Sequence, residues 1–252
     1  LFFIIFFLGH FSIKGFSGLD DPYYHAKHSL LMVESGDWTL VGPWLKFHFL
    51  SYAPTDPWWG FHASQAVFIN FFGVFLGTKI FVSILAALIF AVFYFILNSF
   101  SVKKPFVLTF LFFSSSVLFS FRLFLERPFL LALSVLPAAF FFFYKKKYIS
   151  LFALSLVYAF FYNLAPLIVF FAIFYILTEY FLTRRADLKL LISSAAGILT
   201  GIIIHPESLN YLNVIFVHFF RVIFLKIGGV NLGVGEEIQI QNFSYFLSAN
   251  FL

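Results

Sequence analysis

The sequence predicts an all-α polytopic membrane protein, a single transmembrane domain over residues 1–252, and three observations carry that prediction. The chain is 62% hydrophobic and only 11% charged, against about 25% charged residues in an ordinary soluble domain. Phenylalanine supplies 44 of its 252 positions, and the mean hydropathy is +0.98. The apolar residues fall in runs separated by short cationic clusters, the pattern of membrane helices and their topology signals.

The same composition excludes other classes. The net charge of +5 sits in short clusters between apolar runs, so no basic stripe follows a phosphate backbone and no nucleic-acid partner is expected. Cysteine is absent, which rules out disulfides, thiolate chemistry and cysteine-bound metals.

The first predicted span covers about residues 1–9. It begins inside an apolar run with neither an initiator Met nor a signal-peptide n-region, and the final NFSYFLSANFL lacks a natural stop, so both ends are expected to continue further. A long first loop follows, residues 10–63. Within it His25 to Gly36, HAKHSLLMVESG, reads as a short interfacial helix closed by Gly36. Pro43, Pro54 and Pro57 break the chain, and Trp38, Trp44, Trp58 and Trp59 place the loop at headgroup level. The stretch WWGFHASQAVFINFFGVF is a second surface helix leading into the next span.

Further spans are predicted at 77–100, 105–121, 128–144, 148–162, 167–182 and 188–204, several of them short of the ~20 residues that cross a bilayer squarely. Lys103 and Lys104, Lys145 to Lys147, and Arg184, Arg185 and Lys189 share the cytoplasmic side by the positive-inside rule. The loop 10–63, FRLFLERP, YNLAP and HPESLNYLN then gather on the extracytoplasmic face. Residues 205–252 read as a re-entrant or incomplete final segment. Their GGVNLGVG lacks the strand–turn–helix context of a dinucleotide fingerprint.

Three polar constellations are candidates for chemistry. Asp20 and Asp21 stand beside a hydrophobic run, where a carboxylate is costly; either is placed to accept a proton from an attacking hydroxyl or to hold a metal. The bland reading is that Asp21 caps a helix starting at Pro22. His25 and His28 share a helical face with Asp21, so Asp21 and His25 are candidate metal ligands, while Tyr23 and Tyr24 read as belt residues of which one positions a substrate. In SFRLFLERPFLLAL, Arg122 and Glu126 stand at i,i+4 and Arg127 precedes Pro128; two guanidinium groups there suit a phosphate, or equally an anionic lipid. His205 and Glu207 flank a proline in HPESLNYLN, as donor or acceptor contacts or as a capped turn. Lys46, His48 and His62 are weaker candidates.

The stretch GLDDPYYHAKHSLLMVESGDW resembles the first extracytoplasmic loop of the GT-C superfamily of membrane glycosyltransferases, which includes oligosaccharyltransferase catalytic subunits, protein O-mannosyltransferases and aminoarabinose transferases. YAPTDPWWGFH is similar to the proline-rich segment before their second span, FSFRLFLERPFLLAL to the connection between their third and fourth spans, and HPESLNYLN to their turn after the seventh. The W-W-D-Y-G element of oligosaccharyltransferases is absent. The resemblance implies a GT-C-like helical bundle and an inverting hexosyl or pentosyl transferase. Its sugar donor would be linked to a polyprenyl phosphate or diphosphate, its acceptor a lipid, glycan or protein, and its partners the surrounding membrane lipids. Asp20 or Asp21 would then act on the acceptor hydroxyl, with Arg122 or Arg127 at the donor phosphate and Glu126, His25, Tyr24, His205 and Glu207 around the substrates. A divalent cation, Mg²⁺ or Mn²⁺, is the cofactor such a site admits. The expected location is a prokaryotic plasma membrane, with the site facing outward. A transporter or flippase of a lipid-linked substrate and a non-enzymatic membrane assembly protein are the competing readings; the nearly unbroken apolar mid-spans speak against the former.

Overall fold

A computed structural model describes residues 1–17, 21–41 and 54–228. Helices occupy the apolar stretches. In chain order they are α1 (Phe2–Ser12), α2 (Asp21–Ser35), α3 (Trp59–Phe72), α4 (Val74–Ser99), α5 (Pro105–Phe113), α6 (Val117–Arg122), α7 (Phe129–Tyr144), α8 (Tyr148–Phe161), α9 (Leu167–Thr183), α10 (Leu188–Ile204), α11 (Ser208–Phe216) and, after a π-helical turn at Val217–Arg221, α12 (Val222–Ile227). No strand occurs among the described residues.

The structure corrects the membrane reading. Among the described residues only α4, with 26 residues, is long and apolar enough to cross a membrane by length and composition. The other apolar helices have 17 residues or fewer, and at 1.5 Å per residue a 17-residue helix falls short of a ~30 Å hydrocarbon layer. The span expected at 105–121 is cut in two. The Ser114 and Ser115 hydroxyls bond back to carbonyls three or four residues earlier, and Ser116 caps a new short helix by accepting from the Phe119 amide at 3.3 Å. Hydroxyls that offer the backbone alternative partners end helices in this way. The result is an all-α domain with one candidate membrane helix, not a polytopic GT-C-like bundle. The polytopic integral-membrane location expected from composition, and the membrane-lipid partners the resemblance implied, lose the bundle they rested on; α4 alone keeps the length of a span among the described residues.

Some of the phenylalanines that suggested lipid pack in the interior, although more of those described lie exposed than buried. Phe6 is fully buried and meets Phe90, Phe113 and Phe124 at ring-centroid distances of 5.4–5.7 Å, while Phe2 stacks on Phe90 at 4.4 Å. Aromatic pairs of this geometry contribute about 0.5–1.5 kcal/mol beyond their buried area. Large apolar side chains also lie outside, among them Phe71, Phe181, Leu182 and Ile203; a surface of this kind is one that other molecules cover.

α8 and α10 make the closest helix pair. Gly197 and Gly201 of α10 face it, and a Cβ on Gly201 would lie 2.7 Å from the Ala159 side chain. Small residues four apart let two helix backbones approach, and the Gly197–Gly201 half of α10 is held close against α8. Its start lies at the cationic end of the molecule, where Lys146 pairs with Glu179 at 2.8 Å and approaches Asp187 at 3.6 Å. Its far end delivers His205 to a buried polar cluster.

Candidate metal centre

α2 is built as a polar helix with one buried face. His25, His28, Ser29 and Met32 recur at helical spacing and are buried, and Gly36, at φ +70°, closes the helix with its amide bonded to the Met32 carbonyl. The expected interfacial helix is therefore a packed one. Its buried face meets α3, where Phe61, His62, Gln65, Ala66 and Ile69 turn inward. Ser29 Oγ donates to Gln65 Oε1 at 2.7 Å, and Gln65 Nε2 donates to Thr78 Oγ1 of α4 at 3.1 Å. These bonds fix the register of α2 on α3.

That register stacks imidazoles against one carboxylate. His25 Nδ1 lies 2.7 Å from His62 Nε2, and the rings of His28 and His62 stack at 4.4 Å. Asp56 stands in the turn before α3. Its Oδ1 accepts from the Trp58 amide at 3.0 Å, a side-chain turn of the kind Asp favours. Its Oδ2 lies 2.6 Å from His62 Nδ1 and 3.4 Å from His28 Nε2. His28 Nε2 is also 3.1 Å from the Leu40 carbonyl. His205 closes the far side: Nε2 donates to the Asp56 carbonyl at 3.1 Å, Nδ1 accepts from the Glu207 amide, and the ring stacks on Tyr211, whose hydroxyl donates to the Ala159 carbonyl.

The cluster is almost dry. His25, His28, Asp56 and His62 are each no more than 4% exposed. Burial tends to raise the pKa of Asp56, but the adjoining His62 charge and hydrogen bond, with help from His28 and the Trp58 amide, hold it below the usual carboxylate value. Burial, reinforced by the neighbouring His62, lowers His28 to about 4. Burial likewise drives His25 well below its ordinary value, and it lowers His205. Tyr24, whose ring touches His25 at 5.0 Å and His62 at 5.9 Å, is pushed up by burial and by the charges of Asp56 and Asp21. An ionised carboxylate thus sits among imidazoles of which three favour the neutral form.

His28, Asp56 and His62 each offer a donor atom, and the three atoms lie within 4.8 Å of one another. This buried His–His–Asp group is suited to coordinating a divalent metal.

The residues singled out in the sequence fall in different places. Asp20, Lys46 and His48 lie outside the described residues. Asp21 is exposed and pairs with Arg127 at 2.9 Å, at the mouth of α2. His25 and Tyr24 belong to the cluster, and His205 borders it. Glu207 contributes its backbone amide there. Arg122 ends α6 exposed, and because the helix stops there the expected i,i+4 pairing with Glu126 has no helix to run on. Glu126 is instead fully buried and accepts from the Ser17 amide. The residue that organises the centre, Asp56, was not among the sequence candidates, and His62 was a weak one. The D-x₅-H spacing between two proline breaks and an apolar helix was the one signal available.

No family model matches the chain, and no curated protein or solved structure matches it. Fold and site together define an all-α domain holding a buried His–His–Asp cluster. The inverting glycosyltransferase activity and the lipid-linked sugar donor required spans with a common outer face. With one helix of spanning length among the described residues, that frame is missing and both are withdrawn.

Proposed function

We propose that this protein binds a divalent transition metal, with His28, Asp56 and His62 as ligands. The observation that carries the reading is the convergence of three buried donor atoms within 4.8 Å. A donor set of two imidazoles and one carboxylate suits Zn²⁺, which accepts nitrogen and oxygen in fourfold coordination. It suits Mg²⁺ poorly, because Mg²⁺ prefers an all-oxygen octahedron, so Zn²⁺ replaces the Mg²⁺ or Mn²⁺ suggested by the sequence. Asp21, half exposed and paired with Arg127, is not a ligand in this reading.

The geometry also defines what loading must do. At 2.6 Å, His62 Nδ1 donates to Asp56 Oδ2 in a short charge-assisted hydrogen bond. A metal bound to both atoms takes that proton's place. Metal analysis of the purified chain, followed by Zn²⁺ titration against a chromophoric chelator, tests the proposal. About one equivalent is expected to bind, through coordination of the kind seen in buried zinc sites, and uptake is expected to be lost in Asp56→Ala and in His62→Ala. A chain that takes up no Zn²⁺, or takes it up unchanged in both variants, overturns the reading.

A further inference from the structure

His25 lies behind the three ligands rather than among them, and its contact with His62 has a chemical direction. His62 turns Nδ1 toward Asp56 and Nε2 toward His25. A cation held with Asp56 therefore binds His62 at Nδ1. The proton of a neutral imidazole must then sit on Nε2, so His62 donates and His25 Nδ1, 2.7 Å away, accepts.

Building on the proposed centre, we propose that His25 is a positioning residue: by accepting the Nε2 proton of His62, it holds that ring in the tautomer and orientation that present Nδ1 to the metal. The surroundings suit this task. The His25 ring stands edge-on to Trp58 at 5.3 Å and 90°, and to Phe61 at 5.4 Å and 68°. Walls of that kind prevent the ring from swinging away from His62. Its α2 position, one turn before His28, ties the positioning residue and one ligand to a single rigid element. Metal-bound histidines ordinarily hand their second ring N–H to a carboxylate, carbonyl or water; here a second imidazole fills that role.

The test compares Zn²⁺ affinity in the full chain, His25→Leu and His25→Asn. Leucine keeps most of the volume and cannot accept. Asparagine places Oδ1 near the position of Nδ1 and can accept. His25→Leu is expected to weaken Zn²⁺ binding about 10–100-fold, the usual effect of losing such a partner, while His25→Asn recovers most of the loss. In long-range ¹⁵N–¹H spectra of the Zn²⁺-loaded wild type, His62 is expected as the Nε2–H tautomer. Helical circular dichroism checks that each variant folds, and should His25→Leu fail to fold, the asparagine variant and the tautomer spectrum still decide. Unchanged affinity in His25→Leu, equal losses in both variants, or a His62 proton on Nδ1 in the loaded protein would each overturn the role of His25. Absence of Zn²⁺ binding by the wild type would overturn the centre itself, which separates the two failures.

Discussion

Among the described residues two carboxylates are buried next to histidines, and they are not equivalent. Glu126 is fully buried beneath α1; both its oxygens accept from the Ser17 amide, at 3.0 and 3.2 Å, and His10 Nδ1 lies 3.3 Å away. Its principal partner is a backbone N–H, which can neither move nor exchange for a ligand without unfolding the segment before α2. Asp56 also has a backbone partner, the Trp58 amide, but only on Oδ1; Oδ2 faces two imidazoles, and a third stands behind them. Imidazole nitrogens can give up a proton and take a metal, whereas amides cannot. A buried carboxylate tied by backbone is a clasp, and one faced by side-chain donors is a site.

Deleting the Asp56 carboxylate is the largest perturbation available. Asp56→Ala leaves His62 and His28 without their shared acceptor in a dry environment, and removing one partner of a buried pair costs on the order of 3–5 kcal/mol. Chemical denaturation should show that loss, together with the loss of Zn²⁺ uptake. A destabilisation below about 1 kcal/mol, the range of a surface pair, would show that the cluster is more hydrated than its burial implies.

Acid should act on the same cluster next. His28 has a folded-state pKa of about 4, against an ordinary value of 6.5. Between those values the unfolded chain binds a proton that the folded one refuses, so stability falls as pH drops from 6.5 toward 4, by on the order of 3 kcal/mol for the metal-free protein. Asp56 acts below that window: its depressed pKa contributes stability above the ordinary carboxylate value of 3.8 that is lost as pH falls through the folded pKa. Denaturation of chelator-treated protein at several pH values measures both. A flat profile from pH 7 to 4 would mean that His28 is solvated.

Glu126→Gln sharpens the contrast from the other side. The amide keeps one oxygen for the Ser17 N–H and gives up the charge, so a loss of about 1–3 kcal/mol is expected, with Zn²⁺ affinity unchanged within error. A weakened metal site would show that the clasp and the site are coupled through the start of α2.

How much of this was legible in the sequence differs between the same two regions. The apolar runs marked the helices, because period and length are local properties. Their role was misread: a Phe-rich run looks alike whether it meets lipid or Phe90, Phe113 and Phe124. His25 and His28 were visible as neighbours on one face of α2, and His205 as a polar residue at a helix end. Asp56 was hidden because its meaning is tertiary. It meets His28 only once α2 packs on α3, and within YAPTDPWWGFH it looks like an ordinary turn former. Emphasis fell instead on Asp20 and Asp21, the adjacent pair, since paired acids are conspicuous in one dimension. Glu126 was noticed for a helical partner, Arg122, that the break at α6 removes.

Asp21 provides the smallest expected effect and the finest test of the comparison. Its carboxylate is 53% exposed and meets the Arg127 guanidinium, itself 24% exposed, at 2.9 Å. Water screens such a pair and its long side chains lose entropy on meeting, so exposed pairs contribute about 0–1 kcal/mol. Asp21→Asn should therefore shift the denaturation midpoint only slightly and leave Zn²⁺ affinity unaltered. The link inward is electrostatic: Arg127 is near enough to His25 to disfavour its protonated form, and Asp21 partly neutralises Arg127. Removing Asp21 leaves the guanidinium less compensated, and added positive charge beside the cluster opposes a dication. The sign of any change is thus toward equal or slightly weaker Zn²⁺ binding. A loss of about tenfold or more in Asp21→Asn, the size of effect seen when a group that supports a metal site is removed, would place this carboxylate inside the centre.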